Sequence, residues 1–368
     1  MPDVTNVGAL TGSNALIFKA QVYLALDQAL NNLSTASCWR GTVAPICLYQ
    51  PVQFQQTGVP GLMGRTVVDT AVFAWSPPTA QMELMTPGPS GQPLQPLVRE
   101  NLTVKINKYG VGYFVPRDVF FADVWGTLRS WVTKLSRPIA KLGDALLAAV
   151  LRTGKVTPDP VVSSVNFFAT NKPQAPSGSL SSATVYSNLF TGCPLTPAGI
   201  IRVYNSMRAI KGEDNYSLNI KPDTLIVPAE QEAAAMQACG TEYPVYSQTA
   251  NPWNIGAAGN PGQAAATAAM GQNIVYMQKW VKQIQVLPEL TIGGASIDQT
   301  SWYFAECANP ERGGAPGLLL CDDAAVDMFF QLSNDSVATW NSDTLAVAAR
   351  KFSGAGPGLG AFISRADV

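Results

Sequence analysis

Apolar residues recur at three- and four-residue steps over one long stretch of the chain, from about residue 121 to residue 152. This spacing places them on one face of a helix and predicts a single amphipathic helix roughly 45 Å long. Pro138 lies inside the stretch. Because proline removes a backbone donor and clashes with the preceding turn, we expect it to kink or split the helix near Arg137.

Alternating apolar and polar residues predict two β-strands ahead of this helix. The first covers residues 66–75, and the second carries Leu102, Val104 and Ile106 between polar neighbours. About 25 residues rich in proline separate the strands, so their pairing would make a long hairpin with a proline-rich tip. Because two strands alone are only marginally stable, we expect the hairpin to dock on a partner. A surface loop is the alternative.

The other segments predict short helices and strands in irregular order. Helices are expected at 14–32, from the Thr196-Pro197 cap to a stop before Gly212, and from Pro228 to a stop before Gly240. Strands are expected at 224–227, 283–287, 301–307, 326–332 and 344–352, followed by a glycine-rich tail. The order indicates an α+β protein in which strands from distant parts of the chain pair in mixed sheets.

Charged residues are scarce. They make up 13% of the 368 residues, with a net charge of −1, whereas about 25% is typical of soluble domains. Residues 1–64 contain only four of them, and residues 243–278 contain none. We interpret this as a surface largely buried against other copies of the chain, including an extended arm up to Gly64. Low charge that merely follows the habits of the host is the alternative.

The residue inventory argues against common catalytic sites. The chain has no histidine, which excludes Ser-His-Asp and Cys-His catalysis and all His-ligated metal sites. Its six cysteines are scattered, so buried, reduced thiols are expected. Glu230 and Glu232 fit the start of a helix, and Asp322-Asp323 fits a strand that ends in a turn. We therefore expect no enzyme activity, catalytic residue, cofactor or metal.

The sequence also argues against membrane contact. No run of about 20 apolar residues is present. The first residues, Met-Pro-Asp-Val-Thr, lack the basic start and apolar core of a signal peptide. We expect a soluble protein made inside a cell.

Three segments, in order, resemble a known family. They are Val165-Asn166-Phe167-Phe168-Ala169-Thr170-Asn171-Lys172-Pro173, the helix from Pro197 followed by Ile220-Lys221-Pro222-Asp223-Thr224-Leu225-Ile226-Val227-Pro228, and Asp343-Thr344-Leu345 to Arg350. They are similar to segments of the Mu-like branch of tailed-bacteriophage major capsid proteins with the Hong Kong-type fold. That branch often carries a histidine in the turn of the first segment, and this chain does not.

The resemblance implies a domain order. It comprises an N-terminal arm (1–63), an E-loop β-hairpin (64–110), a peripheral domain with the spine helix (111–189) and an axial domain (190–305). C-terminal strands (306–368) return to the peripheral and axial core.

The resemblance also implies a function. It is that of a major capsid protein that self-assembles as pentamers and hexamers into an icosahedral shell around phage double-stranded DNA. Such a protein is part of the virion and is assembled in the bacterial host cytoplasm. Portal, scaffold and decoration proteins are candidate partners. The alternatives are an encapsulin-like compartment, a tail or baseplate protein and, from a different class, an enzyme that uses lysine or carboxylates.

Basic residues are concentrated in and around the predicted long helix. Residues 105–155 contain nine Lys/Arg against three Asp, a balance of +6. In the capsid interpretation, Arg129, Lys134, Arg137 and Lys141 are candidates to face the lumen and neutralise phosphate without reading sequence. A solvated helix face or ion pairs between subunits is the alternative.

Overall fold

A computed structural model gives the fold of the chain. It describes thirteen ranges, which are 47–52, 54–56, 65–67, 70–75, 100–116, 127–173, 185–212, 217–240, 279–291, 299–307, 317–322, 327–331 and 344–368. The predicted helix at 14–32, the hairpin tip at 76–99 and the uncharged stretch at 243–278 lie outside these ranges.

The described elements are mostly short strands. The strands are β1 (Leu48–Pro51), β2 (Phe54–Gln56), β3 (Arg65–Val67), β4 (Thr70–Trp75), β5 (Glu100–Lys105), β6 (Asn107–Pro116), β7 (Lys172–Pro173), β8 (Val185–Tyr186), β9 (Leu189–Phe190), β10 (Thr224–Val227), β11 (Gln283–Val286), β12 (Trp302–Ala305), β13 (Leu318–Asp322), β14 (Asp327–Gln331), β15 (Thr344–Pro357) and β16 (Ile363–Ala366). The α-helices are α1 (Thr127–Thr153), α2 (Pro197–Arg208) and α3 (Glu232–Gly240), and 3₁₀ turns span Ala229–Gln231, Pro288–Leu290 and Gly360–Phe362.

The first sheet is organised around β15, which pairs with other strands along both edges. β6 runs antiparallel on one edge, from Thr344↔Pro116 to Ser353↔Asn107. On the other edge, β14 pairs with the early part of β15 and β13 with its last residues. β1 completes the sheet by pairing parallel to β13. The end of the predicted arm therefore lies within the subunit.

The second sheet has the order β11-β10-β12-β16-β9, and its three central strands, β10, β12 and β16, are buried on both faces. Alternate residues of a strand point to opposite faces. Leu225 and Phe304 lie in a core cluster with apolar residues of helix α2. Ile226 and Tyr303 lie in a second cluster with the end of helix α1. The central strands therefore lie between two cores.

The predicted hairpin strands do pair. β4 and β5 are antiparallel, from Thr70↔Lys105 to Trp75↔Glu100. Their inward side chains, Ala71, Phe73, Leu102 and Val104, are buried. The backbone of Lys105 approaches Gly354 of β15 so closely that a side chain at Gly354 would collide with it. The base of the hairpin thus packs on its own subunit.

Helix α1 confirms the predicted long helix over the described residues. It continues through Pro138 as one element, so the expected split at Arg137 does not occur. Its C-terminal half is buried through Leu147, Ala148 and Leu151, and burial of this apolar face supplies stability that offsets the bond lost at the proline.

The shorter helices follow their predicted signals. The Thr196 side chain accepts a hydrogen bond from Gly199 N at 3.2 Å at the start of α2. The apolar stripe of this segment is buried at Ile200, Val203, Met207 and Ile210. Pro228 precedes a 3₁₀ turn that leads into α3. Glu230 and Glu232 lie at these two starts, where carboxylates suit the helix dipole.

The expectation of a glycine-rich tail is wrong. β15 continues through Gly354 and Gly356 to Pro357, and β16 follows as an interior strand of the second sheet. Gly356 lies against Val104 of the hairpin. The glycines therefore provide close packing between strands, a role that their composition alone does not distinguish from a loop.

A matched pair of glycine substitutions tests this packing. Gly354→Ala is expected to lower the free energy of unfolding by about 1–3 kcal/mol, because the new methyl group collides with Lys105. In Gly110→Ala the new methyl group would meet, of the residues in the described ranges, only Ala349 O, at 3.7 Å, so stability should be unchanged or higher. Urea unfolding of unassembled subunits measures both. Equal stability of the two variants would contradict the proposed role of Gly354.

Candidate functional site: the spine helix and its anchoring contacts

Helix α1 presents basic residues on its outer side. Lys134 and Arg137 are exposed, and Lys141 is partly buried. At 3.6 residues per turn, these three positions fall within an arc of about 60°. The backbone position of Arg129 is roughly 140° from that of Lys134 around the helix axis. The four basic residues singled out in the sequence therefore do not share one face.

Lys141 is held by acidic residues of its own subunit. Its Nζ lies 3.2 Å from Asp144 Oδ2 and 3.3 Å from Glu289 Oε1. The Asp144 side chain is fully buried, and Glu289 belongs to the 3₁₀ turn Pro288–Leu290. The charge of Lys141 is thus matched internally, which leaves Lys134 and Arg137 as the exposed basic pair.

Arg365 of β16 caps the C-terminal end of helix α1. Its Nη1 donates to Leu151 O and to Tyr303 Oη, both at 3.1 Å, and its Nη2 donates to Ser301 Oγ at 2.9 Å. Its Nε donates to Asp367 Oδ1 at 2.8 Å. A guanidinium suits this place because the last carbonyls of a helix lack intrahelical donors and carry partial negative charge. One side chain therefore joins the helix to the second sheet.

Asp367 completes this contact. It accepts hydrogen bonds from Ser301 and Arg365 and forms an ion pair with Lys155, which lies just after the helix. Burial by itself would raise the pKa of Asp367, but the hydrogen bonds from Lys155, Ser301 and Arg365 outweigh it and lower the pKa below its ordinary value. Asp367 therefore stays ionised and keeps the guanidinium in place.

A second buried pair lies beneath the loop that follows helix α1. Lys172 and Asp159 form an ion pair with both side chains almost fully buried, and Lys172 Nζ also donates to Phe167 O at 2.8 Å. Burial lowers the pKa of Lys172, against the opposing effect of Asp159. A partner is required here, because an unpaired buried charge is strongly destabilising.

Asn188 and Gly360 enclose this pair. Asn188 Nδ2 donates to Phe167 O and Gly360 O at 2.9 Å, and Asn188 Oδ1 accepts from Ala169 N at 2.9 Å. A side chain at Gly360 would occupy the place of the Lys172 ammonium group. The cluster thus ties the loop to the turn before β16.

A third buried pair lies in the first sheet. Lys351 Nζ of β15 is 2.7 Å from Asp322 Oδ2 of β13. Asp322 does end its strand, as predicted, but it is buried and paired across the sheet, whereas the sequence suggested only a turn. Asp323 lies outside the described residues.

Sequence analysis missed Arg365 and the pairs Lys172–Asp159 and Lys351–Asp322. The residues of each pair are 13 and 29 positions apart, and Arg365 bonds Leu151, which is 214 positions away, so no short motif marks these contacts. One available signal was the scarcity of charge, since in a chain with so few charged residues each is a candidate for a structural contact. Another was the position of Lys351 and Arg365 within apolar strands.

The described residues show no sign of a metal or reactive thiol site. They contain no group of three His, Cys, Asp or Glu residues placed to hold a metal ion. Five cysteines in these ranges are free, and burial raises the pKa of Cys239 and Cys307 to about 12. Such thiols are poorly nucleophilic. Among the helices described, none is long and apolar enough to cross a membrane.

Comparison of the sequence with protein families identifies the family. A model described as phage capsid protein matches residues 99–361, a range that runs from the hairpin base through helix α1 and nearly all of both large sheets. The chain therefore belongs to the phage capsid protein family. Its role is structural, that of a major capsid protein that forms an icosahedral shell. No curated protein matches the sequence significantly.

Solved structures match over most of the chain at very low identity. The capsid of a native GTA particle has a TM-score of 0.51 and 8% identity, with 88% of each chain covered. The empty GTA capsid gives 0.49 and 6%, with 88% of this chain and 87% of that chain covered. The capsid of cyanophage Pam1 gives 0.47 and 12%, with 82% and 85% covered. The expected α+β, Hong Kong-type capsid fold is confirmed.

Removal of the Arg365 guanidinium tests its anchoring role. Arg365→Gln should lower the free energy of unfolding by about 3 kcal/mol or more, because buried groups that it bonds lose a charged partner. Arg202→Gln is the matched control, since Arg202 is exposed on helix α2. Urea unfolding of unassembled subunits measures both. If Arg365→Gln lowers the free energy of unfolding no more than Arg202→Gln does, the capping contact contributes little to stability.

Proposed function

We propose that the chain builds pentamers and hexamers of a phage head that encloses double-stranded DNA. The observation that carries the proposal is the capsid family match, which spans helix α1 and most of both sheets. A single subunit type can close an icosahedral shell when it occupies both kinds of ring through heterologous contacts. The low charge of the chain fits a surface of which much faces other copies.

The proposed domain division follows the order of the elements. The arm is 1–63, the E-loop hairpin 64–110, the peripheral domain 111–189, the axial domain 190–305 and the returning strands 306–368. Two observations support it. β4 and β5 pair as the hairpin base, and strands from beyond residue 306 enter both sheets.

The proposal also covers the branch of the family, the partner proteins, the place of assembly and the absence of a crosslink. The segments around Lys172 and from Ile220 to Pro228 support placement in the Mu-like branch. Portal, scaffold and decoration proteins are the proposed partners, and the bacterial host cytoplasm is the proposed place of assembly. We further propose a non-covalent shell, because the chain has no lysine between Lys19 and Lys105 and the hairpin tip therefore offers no lysine for a crosslink to a neighbour.

The basic side of helix α1 is proposed to face packaged DNA. Lys134 and Arg137 are exposed on this side, whereas Lys141 is paired with Asp144 and Glu289. Exposed lysine and arginine bind phosphate through charge and release counterions, with no base contact. The proposed role is therefore non-specific neutralisation, carried chiefly by Lys134 and Arg137. Arg129 is kept as a weaker candidate because its helical position differs.

Expression of the chain alone tests the shell proposal. We expect negative-stain electron microscopy of the sedimenting fraction to show hollow polyhedral shells or five- and six-fold rings. Nucleic acid inside the shells would separate a phage head from an encapsulin-like compartment. The shells should dissociate to single subunits on boiling in detergent and reductant. A chain that stays monomeric or dimeric at high concentration would contradict the proposal, and a surviving ladder of subunits would contradict the non-covalent shell.

Neutralising the exposed basic pair tests the DNA contact. Lys134→Gln/Arg137→Gln particles should assemble normally but hold less DNA than wild type, because two phosphate-neutralising charges per subunit are lost. Lys221→Gln/Lys279→Gln is the control, since it removes two charges from exposed positions elsewhere. The measurement is the nucleic-acid-to-protein absorbance ratio of purified, nuclease-treated particles. An unchanged ratio in the first variant would argue against a lumenal role.

A further inference from the structure

Strand β6 forms an open edge of the first sheet. It pairs with β15 along its whole length, and no other described strand pairs with it. Within the described ranges, its opposite edge therefore has backbone N–H and C=O groups without a strand partner along ten residues, a length of roughly 33 Å. Native proteins usually block such edges with charges or prolines. Here the seven residues from Tyr109 to Val115 carry neither.

Two aromatic side chains stand exposed near the end of this edge. Phe114 is 78% exposed and Tyr113 is 42% exposed. They are adjacent in the strand and so point to opposite faces of the sheet. An exposed phenylalanine alone needs no explanation, but aromatic residues beside a bare strand edge are typical of the anchors of protein interfaces.

Gly110 lies on the same face of β6 as Phe114, and the subunit itself does not require a glycine there. Its φ is not in the left-handed region, and among the described residues an added methyl group would meet only Ala349 O, at 3.7 Å. Gly354, by contrast, is closed off by Lys105 from within the same chain. A strand glycine with no internal reason often marks a place where another backbone approaches closely.

The geometry points to the open edge and Phe114 face of β6, residues 107–116, as a contact surface for a second copy of this chain. This inference rests on the proposed function, since a shell subunit is surrounded by identical copies. The uncharged edge can accept a backbone segment of the neighbour by strand addition. The bare surface at Gly110 allows close approach, and Phe114 supplies the apolar anchor.

Two substitutions, one that removes a side chain and one that adds a side chain, test this surface at positions exposed on the subunit. Phe114→Ser removes the anchor, and Gly110→Val adds bulk where the neighbour would approach. Val156→Ser is the control, because Val156 is 76% exposed but lies beyond the other end of helix α1. Each full-length protein is expressed alone, shells are quantified by sedimentation and electron microscopy, and thermal unfolding of the unassembled fraction checks the fold.

Both test variants should reduce shell yield roughly tenfold or more, with subunit unfolding and the control at wild-type values. Wild-type yield from either folded variant, or an equal loss in the control, would overturn the inference while leaving the shell proposal intact. A wild-type chain that forms no assembly would overturn both.

Amide hydrogen exchange of wild-type protein gives a second, mutation-free readout. Peptides covering 107–116 should exchange more slowly in shells than in unassembled subunits, since strand addition protects edge amides. Equal exchange in the two states would also count against the inference, even if a variant failed to fold.

Discussion

Close approach of backbones at β15 is the constraint on which the architecture depends. This strand pairs along both edges, and one of its faces receives the base of the hairpin. Only small residues allow that contact, which is why Gly354 and Gly356 lie inside a strand despite the entropic cost of glycine. If this packing were lost, the base of the hairpin would no longer be supported by the first sheet.

Several of the few charged residues of the chain make buried contacts within the subunit. Lys172–Asp159 and Lys351–Asp322 are buried, and Arg365 spans the gap between a helix end and a sheet. Buried ion pairs contribute little net stability compared with apolar packing, but they penalise wrong partners heavily. In this protein Lys172–Asp159 ties a loop together and Lys351–Asp322 joins two neighbouring strands, while Arg365 links β16 to the distant end of helix α1. Such contacts favour one arrangement of the loops, strands and helix that they join, and subunits that must match identical neighbours require a single arrangement.

Local signals in the sequence predicted local structure well. The cap at Thr196, the apolar stripe of helix α1 and the alternation around Val104 each correspond to an observed element. The predictions that failed concern structure set by contacts with other parts of the chain. Apolar and polar residues do not alternate around Gly354, because the residues of β15 there are small to let the hairpin base pack against the strand. The sequence therefore did not predict a strand at this position. Likewise, Lys134 and Lys141 look equivalent on the helix, and only the approach of Glu289 separates the exposed lysine from the paired one.

The position of β16 has a consequence for the timing of folding. This strand is inserted between β12 and β9, and β1 pairs with β13 across most of the chain. Neither sheet can close while a nascent chain is still short of these C-terminal strands, so native contacts are dominated by long loop closures, which slow folding. A partly synthesised subunit therefore lacks a finished sheet, and its unpaired strands are open to aggregation until the last strand is made. A subunit therefore becomes competent for assembly only after its C-terminal strands have been made and have paired.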